Sequence, residues 1–189
     1  MKSIFLKKVA IVAIAVVTMS LAVNAQTPTL DKGDNILGFG VGIGGNLYTG
    51  SSYTSKVPAI SMHYEYCVLG SLWDDKSSLG VGGMIGYTSA KWEYMSWGWK
   101  YSSIIIGARG ALHYAFVDKL DTYAGLMVGY NVVTSKAIGT SNDLYKASGS
   151  AGCSSFFVGG RYYFTDSFAA FAELGYGIAI LNLGISFKF

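Results

Sequence analysis

From Ile36 to Phe189 the chain alternates large apolar residues with small or polar ones, one position at a time. A strand sends successive side chains to opposite faces, so this period defines one apolar and one non-apolar surface on each segment. Ile36–Tyr48 shows it most plainly: Leu37, Phe39, Val41 and Ile43 share one face, and Gly38, Gly40, Gly42 and Gly44 share the other. A helix would scatter both sets around its circumference. The chain is therefore restricted to sheet architectures, and its apolar face needs something to cover it.

Composition narrows what that cover is. Hydrophobic residues make up 51% of the chain and mean hydropathy is +0.38, yet charged residues are only 13%. Soluble domains carry about 25% charge. Past the first 25 residues no uninterrupted apolar run approaches the length of about 18 that a membrane-spanning helix needs. A closed sheet is the other structure that satisfies its backbone within hydrocarbon. The 25 glycines against 2 prolines disfavour helices without suggesting a linker. The 14 tyrosines suit a membrane interface, with rings buried and hydroxyls wet.

The N-terminus reads as processing information. Met1–Ala25 has a basic start, an apolar run over Val9–Val17, and Val23-Asn24-Ala25 before the expected cut. This is the pattern of a cleavable secretory signal peptide. No Cys follows the cut, so lipoprotein anchoring is not indicated. Lys2, Lys7 and Lys8 lie in this acid-free segment, and without them 11 basic side chains face 11 acidic ones. The formal charge of +3 thus vanishes from the mature chain, which gives nucleic-acid binding no electrostatic support. The expected organisation is a signal peptide over 1–25, a short periplasmic leader over 26–35, and one domain over 36–189.

Eight segments are expected as strands: Ile36–Tyr48, Val57–Val68, Ser78–Ala90, Lys100–Phe116, Asp121–Thr134, Cys153–Phe164, Ser167–Tyr176 and Ala179–Phe189. Each reaches the roughly 9–11 residues of a tilted spanning strand. Outward rows include Ile60, Met62, Tyr64 and Tyr66; Ile104, Ile106 and Leu112; Leu126, Val128 and Tyr130; and Leu183, Ile185 and Phe187. Inward rows carry the glycines and the chemistry: His63, Glu65, Arg109, His113, Arg161, Glu173 and Lys188. Extracellular connections are expected at one end: Thr49–Lys56, Lys91–Trp99 and the long Ser135–Gly152, rich in Ser, Gly and Thr. Tighter turns, Val117–Asp121 and Thr165–Ser167, are expected at the other. Leu69–Ser77 is long for that second end, and the connection near Gly177–Ile178 is short for the first.

The last strand carries the most specific pattern. Asn182-Leu183-Gly184-Ile185-Ser186-Phe187-Lys188-Phe189 runs polar, any, Gly, any, any, aromatic, any, Phe. It resembles the C-terminal assembly signal of outer-membrane β-barrels, with Asn182, Gly184, Phe187 and Phe189 as its marked positions. Together with the signal peptide and the alternation, the chain resembles the small eight-stranded outer-membrane barrel family of the OmpA membrane domain and OmpX. The resemblance implies an all-β fold: a single closed antiparallel up-and-down transmembrane barrel of about eight strands. It also implies placement in the cell outer membrane, contact with outer-membrane lipids and lipopolysaccharide, and engagement of the barrel-assembly machinery during biogenesis. A monomer with no cofactor is expected.

Other motifs are read structurally. Gly40-x-Gly42-x-x-Gly45 matches a dinucleotide fingerprint as a string, but that chemistry needs a strand, a turn and a helix, and no helix follows here. Two histidines and two cysteines on separate strands make no metal spacing. Cys67 and Cys153 fall at opposite ends of their strands, beyond the roughly 7 Å reach of a disulfide. Trp92, Trp97 and Trp99, with Tyr94 and Tyr101, read as an interface girdle, or alternatively as an exposed adhesive patch.

The inward charges are expected to pair, because unpaired charge in a narrow low-dielectric interior is costly. They then plug the lumen, and the chain is a non-enzymatic barrel that serves envelope integrity and displays loops. Three alternatives stand beside this reading: a narrow passive pore, an outer-membrane lipid-modifying enzyme, and a soluble periplasmic barrel with an apolar interior. The enzyme lacks a recognisable nucleophile motif beside either histidine. The soluble barrel needs the opposite assignment of faces.

Overall fold

The computed structural model describes residues 30–45, 55–94, 97–139 and 149–189. Eight strands run in chain order: β1 Asn35–Ile43, β2 Ser55–Gly70, β3 Ser77–Tyr94, β4 Trp97–Val117, β5 Leu120–Ile138, β6 Ala151–Tyr163, β7 Phe168–Tyr176 and β8 Leu181–Lys188. Each pairs antiparallel with its sequence neighbour, and β8 returns to β1 to close the barrel. Closure leaves no strand at the edge of the sheet, each having a partner on both sides. The seam is finished by two hydrogen bonds of 2.9 Å: Asn35 N–H donates to the Phe189 carbonyl, and Phe189 N–H to that of Asn35.

The faces fall as the alternation requires. Leu126, Val128 and Phe156 stand 63%, 65% and 53% exposed on the outer wall, while Glu65, Asp121 and Arg161 are at most 1% exposed inside. The inner surface is packed by pairing bulk with glycine across the ladder. Gly38 faces His63, Gly125 faces Phe157, Gly159 faces Tyr123 and Gly184 faces Phe171. A Cβ on Gly159 would lie 2.8 Å from the Tyr123 ring, and one on Gly184 would lie 2.6 Å from the Phe171 ring. These glycines supply the volume in which the large inward side chains lie.

Several boundaries differ from the sequence reading. The expected loop Lys91–Trp99 is mostly ladder: Lys91 pairs with Lys100, Trp92 with Trp99 and Tyr94 with Trp97. Residues 95–96 lie outside the described residues. The alternation simply continues past the apolar zone, with Trp97, Trp99 and Tyr101 on the inner side of β4 and Lys100 and Ser102 on the outer. Trp92, Trp97 and Trp99 therefore do not form a girdle on the outer wall; Trp92 and Trp97 meet edge to face at 5.1 Å on the inner side of the hairpin. Likewise β5 runs on to Ile138, so Ser135 to Ile138 are strand. Val117–Asp121 is not wholly a turn either: only Asp118 and Lys119 connect β4 to β5, with Lys119 at φ 63°, and Asp121 is strand. The signal-peptide segment, Asn46–Tyr48 at the end of the expected first strand, and parts of the two longest expected loops lie outside the described residues.

The long turn Ser71–Lys76 owes its order to Asp74. The Tyr114 hydroxyl donates to Asp74 Oδ2 at 2.9 Å, and the Lys76 N–H donates to Oδ1 at 3.0 Å. The Ser77 hydroxyl donates to the Asp74 carbonyl at 2.9 Å. Desolvation alone would raise the Asp74 carboxyl, but the hydrogen bonds from Tyr114 and Lys76 outweigh it and hold the group below its ordinary value. At the same end Leu30 packs against Ile36 and Cys67 under the barrel floor.

A closed charge cluster in the lumen

Five strands bring six ionisable side chains together inside the barrel. Glu65 comes from β2, Arg109 and His113 from β4, Asp121 from β5, Arg161 from β6 and Glu173 from β7. Arg109 and His113 are four apart on one strand, so both point inward one above the other. The Arg109 guanidinium donates from Nη2 to Glu173 Oε1 at 2.9 Å, and its Nε lies 3.8 Å from Glu65 Oε2. His113 Nε2 is 2.9 Å from Glu65 Oε1. Its Nδ1 is 3.0 Å from both carboxylate oxygens of Asp121. Arg161 Nη1 donates to Asp121 Oδ2 at 2.8 Å. The Tyr123 hydroxyl donates to Glu173 Oε1 at 3.0 Å.

Ionised carboxylates only accept hydrogen bonds, so His113 serves Glu65 and Asp121 together when both ring nitrogens carry hydrogen. The cluster then holds three cations, Arg109, His113 and Arg161, against three anions, Glu65, Asp121 and Glu173. Aromatic faces complete it. The Arg109 guanidinium lies 4.3 Å from the Phe157 ring centre, and that of Arg161 lies 5.0 Å from the ring centre of Tyr123.

Five of the seven residues read from sequence as a lumen network are thus joined here: Glu65, Arg109, His113, Arg161 and Glu173. Two are not. His63 points inward and is buried, but it packs edge to face on Phe171 at 5.2 Å and reaches Arg109 and Glu173 through their charge alone, with no hydrogen bond from its Nε2. Lys188 sits at the barrel end, 3.4 Å from Asp34 and 5.4 Å from the Tyr163 ring centre. It belongs to the rim because β8 has almost run out where it stands. Asp121, which the sequence reading places both at the start of the fifth strand and at the end of a turn, is absent from the expected lumen network. Two signals pointed to it: the inward row Tyr123, Gly125 extended back by one step of two, and an inventory of two acids against three bases.

Above Arg109 and Glu173 a cavity of about 40 Å³ reaches toward the β7–β8 connection, bordered by Ser61, Phe157, Ile178 and Asn182. That is space for a few water molecules. Asn182 bridges its wall, with Nδ2 3.4 Å from Glu173 Oε2 and 3.5 Å from Ser61 Oγ. Of the other marked C-terminal positions, Gly184 faces Phe171, Phe187 turns outward against Phe168 at 5.4 Å, and Phe189 ends the β1 seam. Cys67 and Cys153 are both free.

No family model matches the chain, and no curated protein matches it. Solved structures do resemble it. The N-terminal β-barrel domain of Pseudomonas aeruginosa OprF matches with a TM-score of 0.50 at 14% identity, over 85% of this chain and 100% of that one. Yersinia pestis Ail, the attachment invasion locus protein, solved with the heparin analogue sucrose octasulfate, matches at 0.51 and 13%, over 84% and 99%. The outer membrane protein OprG of Pseudomonas aeruginosa matches at 0.50 and 11%, over 88% and 99%. At such identities the likeness concerns fold: the chain is built as a small outer-membrane β-barrel is built, an eight-stranded antiparallel cylinder with its apolar face outward.

Proposed function

We propose that this chain, with the fold of the small outer-membrane barrels, is a non-enzymatic integral protein of the outer membrane whose lumen is plugged. Its role is structural: a stable cylinder in the envelope that displays the β1–β2 and β5–β6 connections at the cell surface and touches outer-membrane lipid and lipopolysaccharide. Asn182, Gly184, Phe187 and Phe189 serve as its assembly signal. The observation that carries this reading is the inversion of polarity, with Leu126, Val128 and Phe156 on the outer wall and a neutral set of three acids and three bases within. A soluble barrel for an apolar ligand needs the opposite arrangement. Catalysis by His113 is disfavoured because both its ring nitrogens already face carboxylates, leaving none to take a proton from a nucleophile.

A narrow pore is the competing reading, favoured only by the small cavity, which stops at the Arg109–Glu173 pair. Single-channel recording on the purified barrel in a planar bilayer separates the two. The plugged cylinder gives no resolvable conductance, and regular current steps would overturn it. Heat-modifiable migration and fractionation with the outer membrane test the placement; a mature protein that stays soluble without detergent would overturn that part.

A further inference from the structure

Three adjacent strands place their outward residues in layers of the same chemistry. Lys91, Lys100 and Lys136 are register partners across β3, β4 and β5. Two residues further along each strand the partners are Ser89, Ser102 and Thr134. Next come Tyr87, Ile104 and Val132, and then Ile85, Ile106 and Tyr130. From the loop end toward the barrel middle the outer wall thus passes from ammonium to hydroxyl to hydrocarbon. A lipid leaflet has this same order from phosphate to glycerol or sugar to acyl chain, so the lysine row stands at the height of the headgroups.

The row needs an anionic partner. Like charges on directly opposed strand positions repel, and adjacent strands are only about 4.8 Å apart. Among the described residues the carboxylate paired with the row is Glu93, 2.6 Å from Lys91. Beside the Lys91–Glu93 pair, Lys100 and Lys136 add two ammonium groups to the same outward surface. Beside them a groove of about 430 Å³ is bordered by Val57, Ser89, Lys91, Lys100 and Ile138. Its lining is apolar at Val57 and Ile138 and basic at Lys91 and Lys100, which suits a phosphorylated headgroup with the start of its chain.

We propose that Lys91, Lys100 and Lys136 form a docking surface on the outer wall for the phosphate of a phosphorylated outer-leaflet lipid. The proposal rests on the membrane reading above and adds to it a defined site and ligand chemistry.

The test uses the full mature barrel folded into vesicles of equal phosphatidylcholine and phosphatidic acid. The lipid retained after mild detergent extraction is then weighed for the ratio of the two. The wild type is expected to retain phosphatidic acid in excess. K100Q/K136Q is expected to lose about fivefold of that excess per lysine. K32Q/K119Q, which removes two lysines at the opposite end, is expected to keep it. Heat-modifiable migration shows that each variant has folded. An unchanged ratio in K100Q/K136Q, or an equal loss in K32Q/K119Q, overturns the docking surface and leaves the barrel in the membrane. A wild type that does not enter vesicles overturns the membrane reading and the docking surface together.

Discussion

Across the barrel interior His113 Nε2 lies 2.9 Å from Glu65 Oε1, with both side chains 1% exposed. The two residues are 48 positions apart in sequence and sit on strands that do not pair, so their contact spans the lumen over β3. Each is also tied to a second partner, Asp121 for His113 and Arg109 for Glu65. The pair therefore links one half of the charge cluster to the other.

Removing one member leaves a buried charge uncompensated, which costs about 3–5 kcal/mol. Glu65→Leu and His113→Leu are each expected to destabilise the barrel by an amount of this order. The double variant leaves Arg109 and Arg161 against Asp121 and Glu173, a balanced set. Its loss is expected to fall well short of the sum of the single losses. Urea unfolding in lipid vesicles, followed by tryptophan fluorescence, measures this. Additive losses would show that the two side chains are not coupled.

Gly38 and His63 test the fit of bulk against glycine. A Cβ added at Gly38 would collide with the imidazole of His63, its partner across the β1–β2 ladder. Gly38→Ala is expected to destabilise by about 1–3 kcal/mol through overpacking. His63→Ala opens the space, so Gly38→Ala is expected to cost much less in that background. The readout is the temperature at which the folded band disappears on a gel. Equal cost in both backgrounds would place the strain in the backbone instead.

Asp74 gives the β2–β3 turn a pH dependence. Its carboxyl is held below its ordinary value of 3.8 by the Tyr114 hydroxyl and the Lys76 N–H. A depressed acid stabilises the folded state fully above the ordinary value and loses that contribution as pH falls through the folded one. Asp74→Asn is therefore expected to be less stable than wild type at neutral pH. The difference should shrink once pH drops below 3.8. Unfolding midpoints of the two proteins measured from pH 7 downward check this, and a constant gap would remove Asp74 from the acid response.

Much of the architecture could be read from single strands. Leu126, Val128 and Tyr130 on one side and Tyr123, Gly125 and Gly129 on the other already name wall and lumen, because one step of two along β5 keeps the same face. The cluster was legible only in part. Asp121 belongs by sequence both to the expected strand Asp121–Thr134 and to the turn Val117–Asp121, and the structure settles the choice by starting β5 at Leu120. Parity gives Lys188 the lumen face but no height, and the structure puts it at the rim beside Asp34. The segment Lys91–Trp99 reads as a connection by its place between two expected strands, although the ladder continues through it.

The sequence by itself determined the strand period, and with it which residues stand on the outer wall and which meet one another indoors. This is a local property, fixed by the alternating direction of successive Cβ bonds. Only the tertiary structure decided that Glu65 meets His113, that Arg161 meets Asp121 and that the His63 ring packs on Phe171. Those contacts depend on the relative stagger of strands and on the curvature that brings non-adjacent strands face to face. Both are set when β8 closes on β1, across nearly the whole length of the chain.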